Sequence, residues 1–276
     1  MTHHDAPRGE VAAATGARPR RPLLFLGLLM VVTLPFYGLL AFDIPMPFDL
    51  PPTLVTIVLP AIVATMMVAV EAGSSGIKRL WASLNPRLAR KPRAWLAAFL
   101  LVPIAGVLDW LLRTWWGVGG APEGPLTPWA MAPVYLLAFV VGAIPEEIGW
   151  SGYASGPLAR RRGILAAGAI IGLVWSAWHW IPYVVEGRGL EWIVGQTLLT
   201  IGFRILMVWV FVRGGGTTLL ACVIHALTNV LSLYPSGFAE SHPWTQLLAL
   251  VIAAAAFFGV VRLVDVRRGR VAQAQN

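Results

Sequence analysis

Repeated apolar runs of roughly 20 residues constrain the fold of this chain more than any other feature. A helix rising ~1.5 Å per residue needs about 20 apolar residues to cross the ~30 Å hydrocarbon layer of a bilayer. Hydrophobic residues make up 57% of the 276 positions and charged residues only 12%, which is too apolar for a soluble globule. The sequence therefore predicts an all-α, polytopic integral membrane protein.

The apolar runs predict about eight transmembrane helices. Segments rich in Pro and Gly, such as Pro51–Pro52 and Gly214–Gly216, separate the runs. The predicted spans lie at residues 23–42, 53–71, 94–112, 128–156, 164–184, 190–212, 217–234 and 244–264. They form a single domain over residues 22–265, flanked by a disordered basic tail at 1–21 and a second basic tail at 266–276.

Lys and Arg residues fall mostly on one side of this predicted domain. Eighteen of the 21 lie in the two tails or in loops on the same side, and the opposite side receives only Arg113 and Arg188. Since cytoplasmic loops carry an excess of Lys and Arg, both termini are predicted to face the cytoplasm. The net charge of +8 forms no periodic basic face, which argues against a nucleic-acid partner. The Ala-, Arg- and Gly-rich composition favours a bacterial plasma membrane, and the lipid bilayer is the expected surrounding.

A small set of polar side chains lies at membrane depth, where each charge costs ~2.5 to 3.5 kcal/mol. The set comprises Glu146 and Glu147 in the fourth span, His179 in the fifth, Arg204 in the sixth, and His225 with Asn229 in the seventh. Counting ~1.5 Å per residue from the cytoplasmic ends gives depths of roughly 15 to 18 Å for Glu146, roughly 22 Å for His179 and roughly 12 Å for His225. We therefore expect an intramembrane polar cavity in one layer of the membrane.

The spacing of these residues along the sequence predicts which of them share a helix face. His225 and Asn229 are four residues apart and share a helix face, as do Trp175 and His179. Adjacent glutamates point about 100° apart on a helix, so Glu146 and Glu147 are expected to have different roles. If the side chains of Glu146, Glu147 and Arg204 were all unpaired, their charges would together cost on the order of 9 kcal/mol, which is comparable to the stability of a whole domain. We predict that Arg204 neutralises Glu147 and that Glu146 is left as a general base.

Three motifs carry a family resemblance. PEEIGWSGY at 145–153, VWSAWHWIP at 174–182 and HALTN at 225–229 resemble the CPBP family, which comprises the CAAX prenyl proteases and the bacteriocin-processing enzymes and is also called ABI. Its signature is a glutamate pair, an aromatic-xxx-His and a His-xxx-Asn on successive helices. The resemblance covers residues 130–232 and is to the type II CAAX prenyl endopeptidases.

The resemblance implies an intramembrane endopeptidase that cleaves a membrane-embedded peptide or protein. It implies that Glu146 activates a water together with His179, and that His225 and Asn229 stabilise the oxyanion of the tetrahedral intermediate. Glu147 is the structural partner of the pair. One departure from the family pattern is Ser151, which stands where the family usually has Arg, so that Arg204 has to supply the charge from another helix. The tryptophans at 150, 175, 178 and 180 are predicted to pack and to line the cavity.

Other interpretations stay open at this stage. Glu146, His179 and His225 form a conceivable set of three zinc ligands, although the HExxH motif of zinc proteases is absent and a cofactor-free glutamate mechanism is favoured over a metalloprotease. Intramembrane ionisable residues also mark proton-coupled transporters. A catalytically inactive binding or immunity protein on the same scaffold is a third interpretation, favoured by Ser151.

Overall fold

The computed structural model describes residues 20–117, 128–233 and 242–274. Within these ranges the chain is helical and contains no strand, which confirms the all-α prediction. The helices are α1 Pro22–Ala41, α2 Pro52–Ala82, α3 Pro92–Trp116, α4 Ala132–Glu147, α5 Gly156–Val185, α6 Leu190–Arg213, α7 Leu219–Ser232 and α8 Pro243–Ala274. A π-helical segment, Ile148–Ser155, joins α4 to α5, and short 3-10 turns lie at Pro47–Asp49, Pro86–Leu88 and Trp129–Met131.

Six helical stretches in the described ranges are long and apolar enough to cross a membrane. One of them, Ala132–Val185, runs for 54 residues, far more than the ~20 that one crossing needs. The backbone leaves helical geometry inside this stretch at Gly163, whose φ of 81° is readily adopted only by glycine. The 14 residues of α7 are fewer than a full crossing requires. The predicted count of eight spans is therefore not confirmed.

The starts of most helices coincide with prolines in the sequence. Proline occupies one of the first two positions of α1 to α5, where its missing N–H costs nothing and its fixed φ suits a helix. Residues 1–19 of the predicted N-terminal tail lie outside the described residues, whereas Arg20 and Arg21 contact the π-helical segment. The predicted C-terminal tail continues α8 as far as Ala274, because no proline interrupts the helix there.

Helices α5 and α6 pack closely because glycines line the contact. A Cβ atom added at Gly172 would lie 2.7 Å from the Cα of Ile201 and 3.1 Å from the Cβ of Arg204. Small residues at such positions let two helix backbones approach each other, which is common between membrane helices. The close approach holds Arg204 of α6 beside the helix that carries His179.

We expect Gly172→Ala to destabilise the folded protein by about 1 to 3 kcal/mol, the typical cost of an added methyl group in a packed interior. Gly38→Ala in α1 is the control, since a Cβ there meets nothing within 4 Å. Unfolding can be followed with a thiol-reactive dye, because Cys222 is the only cysteine and is buried. If the Gly172→Ala and Gly38→Ala variants have the same melting temperature, the close contact between α5 and α6 is not required for stability.

Candidate functional site

The two glutamates lie at a change of helix type. They end α4, directly after Pro145, which has no backbone N–H to donate, and directly before the π-helical segment. The hydroxyl of Ser155 donates to the carbonyl of Trp150, five residues earlier, at 2.9 Å. Short π-helical stretches are rare and are found often at functional sites. Both carboxylates are buried here, with 7% of Glu146 and 0% of Glu147 exposed.

Glu147 is surrounded by donors from three helical elements. Both terminal nitrogens of Arg204 donate to it, one to each carboxylate oxygen, at 2.8 and 3.1 Å. The Ser151 hydroxyl donates from one turn along the chain, and the Nδ1 atom of His225 lies 3.1 Å from Oε1. Arg204 is itself fully buried. The structure thus brings Glu147 and Arg204 together as a buried, bidentate ion pair, and the imidazole of His225 contacts the same carboxylate.

Glu146 points to a different helix. Its Oε2 atom accepts a hydrogen bond from the indole Nε1–H of Trp175 at 3.2 Å. The charged contacts from Arg204 and His225 go to Glu147. The neighbouring carboxylates therefore have separate environments, in keeping with the ~100° between successive residues on a helix.

Trp175 connects the two carboxylate environments. Its ring lies under the guanidinium carbon of Arg204, 4.0 Å from the centroid, which is a cation–π contact. Its centroid is also 5.2 Å from that of His225 and 5.7 Å from that of His179. The sequence predicts that this residue packs and lines the cavity, and it does not predict the hydrogen bond to Glu146. Its spacing of four residues from His179 was the available signal.

His179 is half-buried on α5, one turn after Trp175. Its Nδ1 atom lies 2.8 Å from the backbone carbonyl of Trp175. Because a carbonyl oxygen can only accept, Nδ1 carries the proton, and in the neutral ring Nε2 is left as an acceptor. The ring packs edge-on against Trp178 and is stacked with Tyr183. His179 therefore has a fixed orientation.

His225 and Asn229 lie one turn apart on α7. The Nδ1 atom of His225 donates to Glu147, which leaves Nε2 for another partner. Asn229 is half-buried, and its backbone carbonyl accepts from the Ser232 hydroxyl at 2.6 Å. In the described part of the chain no hydrogen bond links the Asn229 amide to the other predicted site residues.

The far end of the π-helical segment is fixed by a second set of polar contacts. The Tyr153 hydroxyl donates to Glu71 of α2 at 2.7 Å and accepts from the backbone N–H of Arg21 at 3.1 Å. The side chain of Arg20 donates to the Gly152 carbonyl at 2.7 Å. Burial lowers the pKa of the Arg20 guanidinium below its usual value, and the neighbouring Tyr153 and Glu71 oppose that shift. The segment that follows the glutamates is thus attached to α2 and to the start of α1.

The zinc interpretation can be compared with this arrangement. Among the residues that the structure describes, no group of three His, Cys, Asp or Glu side chains is placed to hold a metal ion. His225 directs Nδ1 to Glu147 and His179 directs Nδ1 to the Trp175 carbonyl, which leaves the Nε2 atom of each ring for another partner. The choice between a zinc centre and a metal-free mechanism is therefore put to the chelator test below.

Comparison with known proteins agrees with the motifs. Residues 128–231 match the model of the family described as type II CAAX prenyl endopeptidase Rce1-like. The chain is 25% identical over 103 residues to CAAX prenyl protease 2 of Methanococcus maripaludis, and that match covers 34% of this chain and 38% of the relative. The chain thus matches well under half the length of this curated relative. The predicted resemblance to the type II CAAX prenyl endopeptidases is confirmed.

Proposed function

We propose that this chain is an intramembrane endopeptidase of the CAAX protease type, which hydrolyses a peptide bond of a membrane-associated peptide or protein without a metal. The observation that carries the proposal is the separation of the two buried glutamates. Glu147 is neutralised by Arg204, whereas Glu146 accepts one hydrogen bond from Trp175 and forms no ion pair with any residue that the structure describes. A buried carboxylate that is outside any such ion pair is suited to accept a proton. The family match supports peptide hydrolysis as the reaction.

The proposed reaction needs a water and a peptide carbonyl in the site. Glu146 accepts one proton from the water, and the Nε2 atom of His179 accepts a hydrogen bond from the other O–H group of the same water. The water oxygen then bonds to the carbonyl carbon of the peptide. The Asn229 amide donates to the developing oxyanion, and His225 donates through Nε2–H in its imidazolium form, in which Nδ1–H still donates to Glu147. The proton on Glu146 then passes to the leaving amine nitrogen as the C–N bond breaks, which returns the carboxylate to its starting state.

Ser151 does not remove the positive charge that the family pattern places near the glutamates. The family usually has Arg at this position, and here a guanidinium reaches Glu147 from Arg204 of α6, while the Ser151 hydroxyl donates to the same carboxylate. The charge of Glu147 is thus compensated from a different helix. This supports an active enzyme over an inactive binding protein on the same scaffold.

We further propose that Trp175 is a positioning residue for Glu146, and we expect Trp175→Phe to lower kcat about tenfold with little change in KM. The substitution removes the indole N–H and keeps a ring over Arg204. A hydrogen bond to a charged group contributes ~1.5 to 3 kcal/mol, and ~1.4 kcal/mol is a tenfold change in rate. Trp180→Phe is the matched control, since its N–H donates to Thr197 instead. Equal kinetics for the two variants would contradict the role.

The proposed function is tested by cleavage of fluorogenic membrane peptides, prenylated and unprenylated, with the protein reconstituted in nanodiscs. Glu146→Gln supplies the background rate, and each reaction is repeated with a strong chelator. Cleavage that survives the chelator and is lost in Glu146→Gln supports a glutamate mechanism. Loss of cleavage in the chelator would favour a metal mechanism, and no cleavage by folded wild-type protein would favour the inactive binding protein.

A further inference from the structure

A cavity of about 810 Å³ opens between the start of α5 and the end of α6, away from the glutamates. Three arginines line it: Arg160 and Arg162 from the first turns of α5, and Arg213 from the last turn of α6. We call the end of the helix bundle where these three lie the basic end. Phe211 forms part of the cavity wall and is buried. The cavity is therefore a mainly apolar recess whose lining includes three arginines.

Among the described residues, no ion pair balances the positive charge of this lining. Ion pairs in the described ranges join Arg93, Arg113, Arg188 and Arg204 to acidic residues. None of these pairs includes an arginine of the cavity. The chain has no Asp or Glu from residue 148 to 185 or from 192 to 239. Arg161 adds to the field of the basic end, where its side chain donates to the Arg20 carbonyl at 3.1 Å. Because these arginines are exposed, their combined field attracts anions to the basic end.

The apolar part of the lining continues to the outer surface of the bundle. Leu165 is 71% exposed and Val212 is 39% exposed, and both lie directly beside an arginine-bearing turn. Exposed apolar side chains such as these are suited to contact with the acyl chains of a bilayer. The cavity thus combines cations that suit a phosphate with an apolar edge that suits lipid tails, and guanidinium groups bind phosphate oxygens in pairs.

We propose that this cavity binds the phosphate headgroup of an acidic phospholipid, with Arg160, Arg162 and Arg213 around the phosphate and the acyl chains along Leu165 and Val212. The site is separate from the glutamate pair. Residues 156–163 connect the π-helical segment to the part of α5 that carries His179, and their backbone turns at Gly163. A bound lipid would therefore brace the connection between the glutamates and His179.

Lipid binding is measured on the full chain in nanodiscs of phosphatidylcholine, with a fluorescent phosphatidylglycerol as the probe. The triple variant Arg160→Gln, Arg162→Gln, Arg213→Gln is expected to bind the probe roughly tenfold more weakly or worse, since each basic residue near the headgroup contributes to the attraction. The matched control is Arg87→Gln, Arg90→Gln, Lys91→Gln, which removes the same charge from exposed positions outside the cavity. Equal weakening in both variants would show a diffuse charge effect and would overturn the proposal.

Two competitors identify the source of the phosphate. Inorganic phosphate that displaces the probe as well as unlabelled phosphatidylglycerol does would assign the cavity to a soluble phosphate compound and would overturn the lipid proposal. The dye reaction of Cys222 reports whether the triple variant folds, and Arg213→Gln alone serves as the second variant if it does not. No peptide substrate is involved, so the result is independent of the peptidase proposal.

Discussion

Glu147→Gln is expected to destabilise the folded protein by about 3 to 5 kcal/mol, because it leaves the Arg204 guanidinium buried without its anion. Arg204 is fully buried, and both of its terminal nitrogens donate to Glu147. Glutamine has nearly the same shape but only one acceptor oxygen, so it can keep the hydrogen bond from Ser151 or the one from His225, and the substitution removes one acceptor together with the charge. Arg204→Met should have a similar cost, since it leaves the carboxylate unpaired.

The double variant Glu147→Gln, Arg204→Met separates charge pairing from general damage to the core. Replacing both members of a buried ion pair by uncharged groups is often close to neutral, so the double variant should be more stable than either single variant. Thermal unfolding of all four proteins, followed through the thiol of Cys222, gives the coupling energy. Additive losses in the double variant would mean that the two side chains contribute independently.

The sequence predicts the positions of the helices well because bilayer thickness dictates the length of an apolar run. Helices α1 and α6, for example, begin and end within a residue of the predicted spans. The number of spans is harder to predict, since α7 is too short for a full crossing and α4 runs into α5 through the π-helical segment. Hydropathy does not distinguish a π-helical turn from an α-helical one, and the break at Gly163 depends on one backbone torsion.

In the candidate site, too, some contacts can be predicted from the sequence and others cannot. Contact between Arg204 and Glu147 follows from the cost of unpaired charges in a membrane, and the structure places their atoms 2.8 Å apart. The polar contact of Trp175 could not be predicted, because it depends on how α5 is rotated about its axis relative to α4. Apolar periodicity does not give this rotation when nearly every position of a helix is apolar. For Asn229, the sequence places it one turn from His225 and gives no partner for its amide.

Glu146→Gln is expected to lower kcat by about 10²- to 10⁴-fold, because an amide cannot accept the proton of the attacking water. This range is the usual contribution of a general base. Cleavage of the same fluorogenic peptides in nanodiscs measures the rate. Glutamine can still accept the hydrogen bond from Trp175 through its own oxygen, so the packing around residue 146 is retained. Glu191→Gln, an exposed position at the start of α6, is the control and should keep the wild-type rate.

The stability of Glu146→Gln is as informative as its rate. A buried carboxylate without an ion pair is costly, so its replacement by an uncharged amide should leave the melting temperature unchanged or raise it. Glu147→Gln should lower the melting temperature, although the two residues are adjacent and the substitutions are chemically identical. A Glu146→Gln variant that melts as early as Glu147→Gln would mean that both carboxylates are structural. If instead it folds and cleaves at the wild-type rate, the proton acceptor is another group, and the separation of the two glutamates has no catalytic meaning.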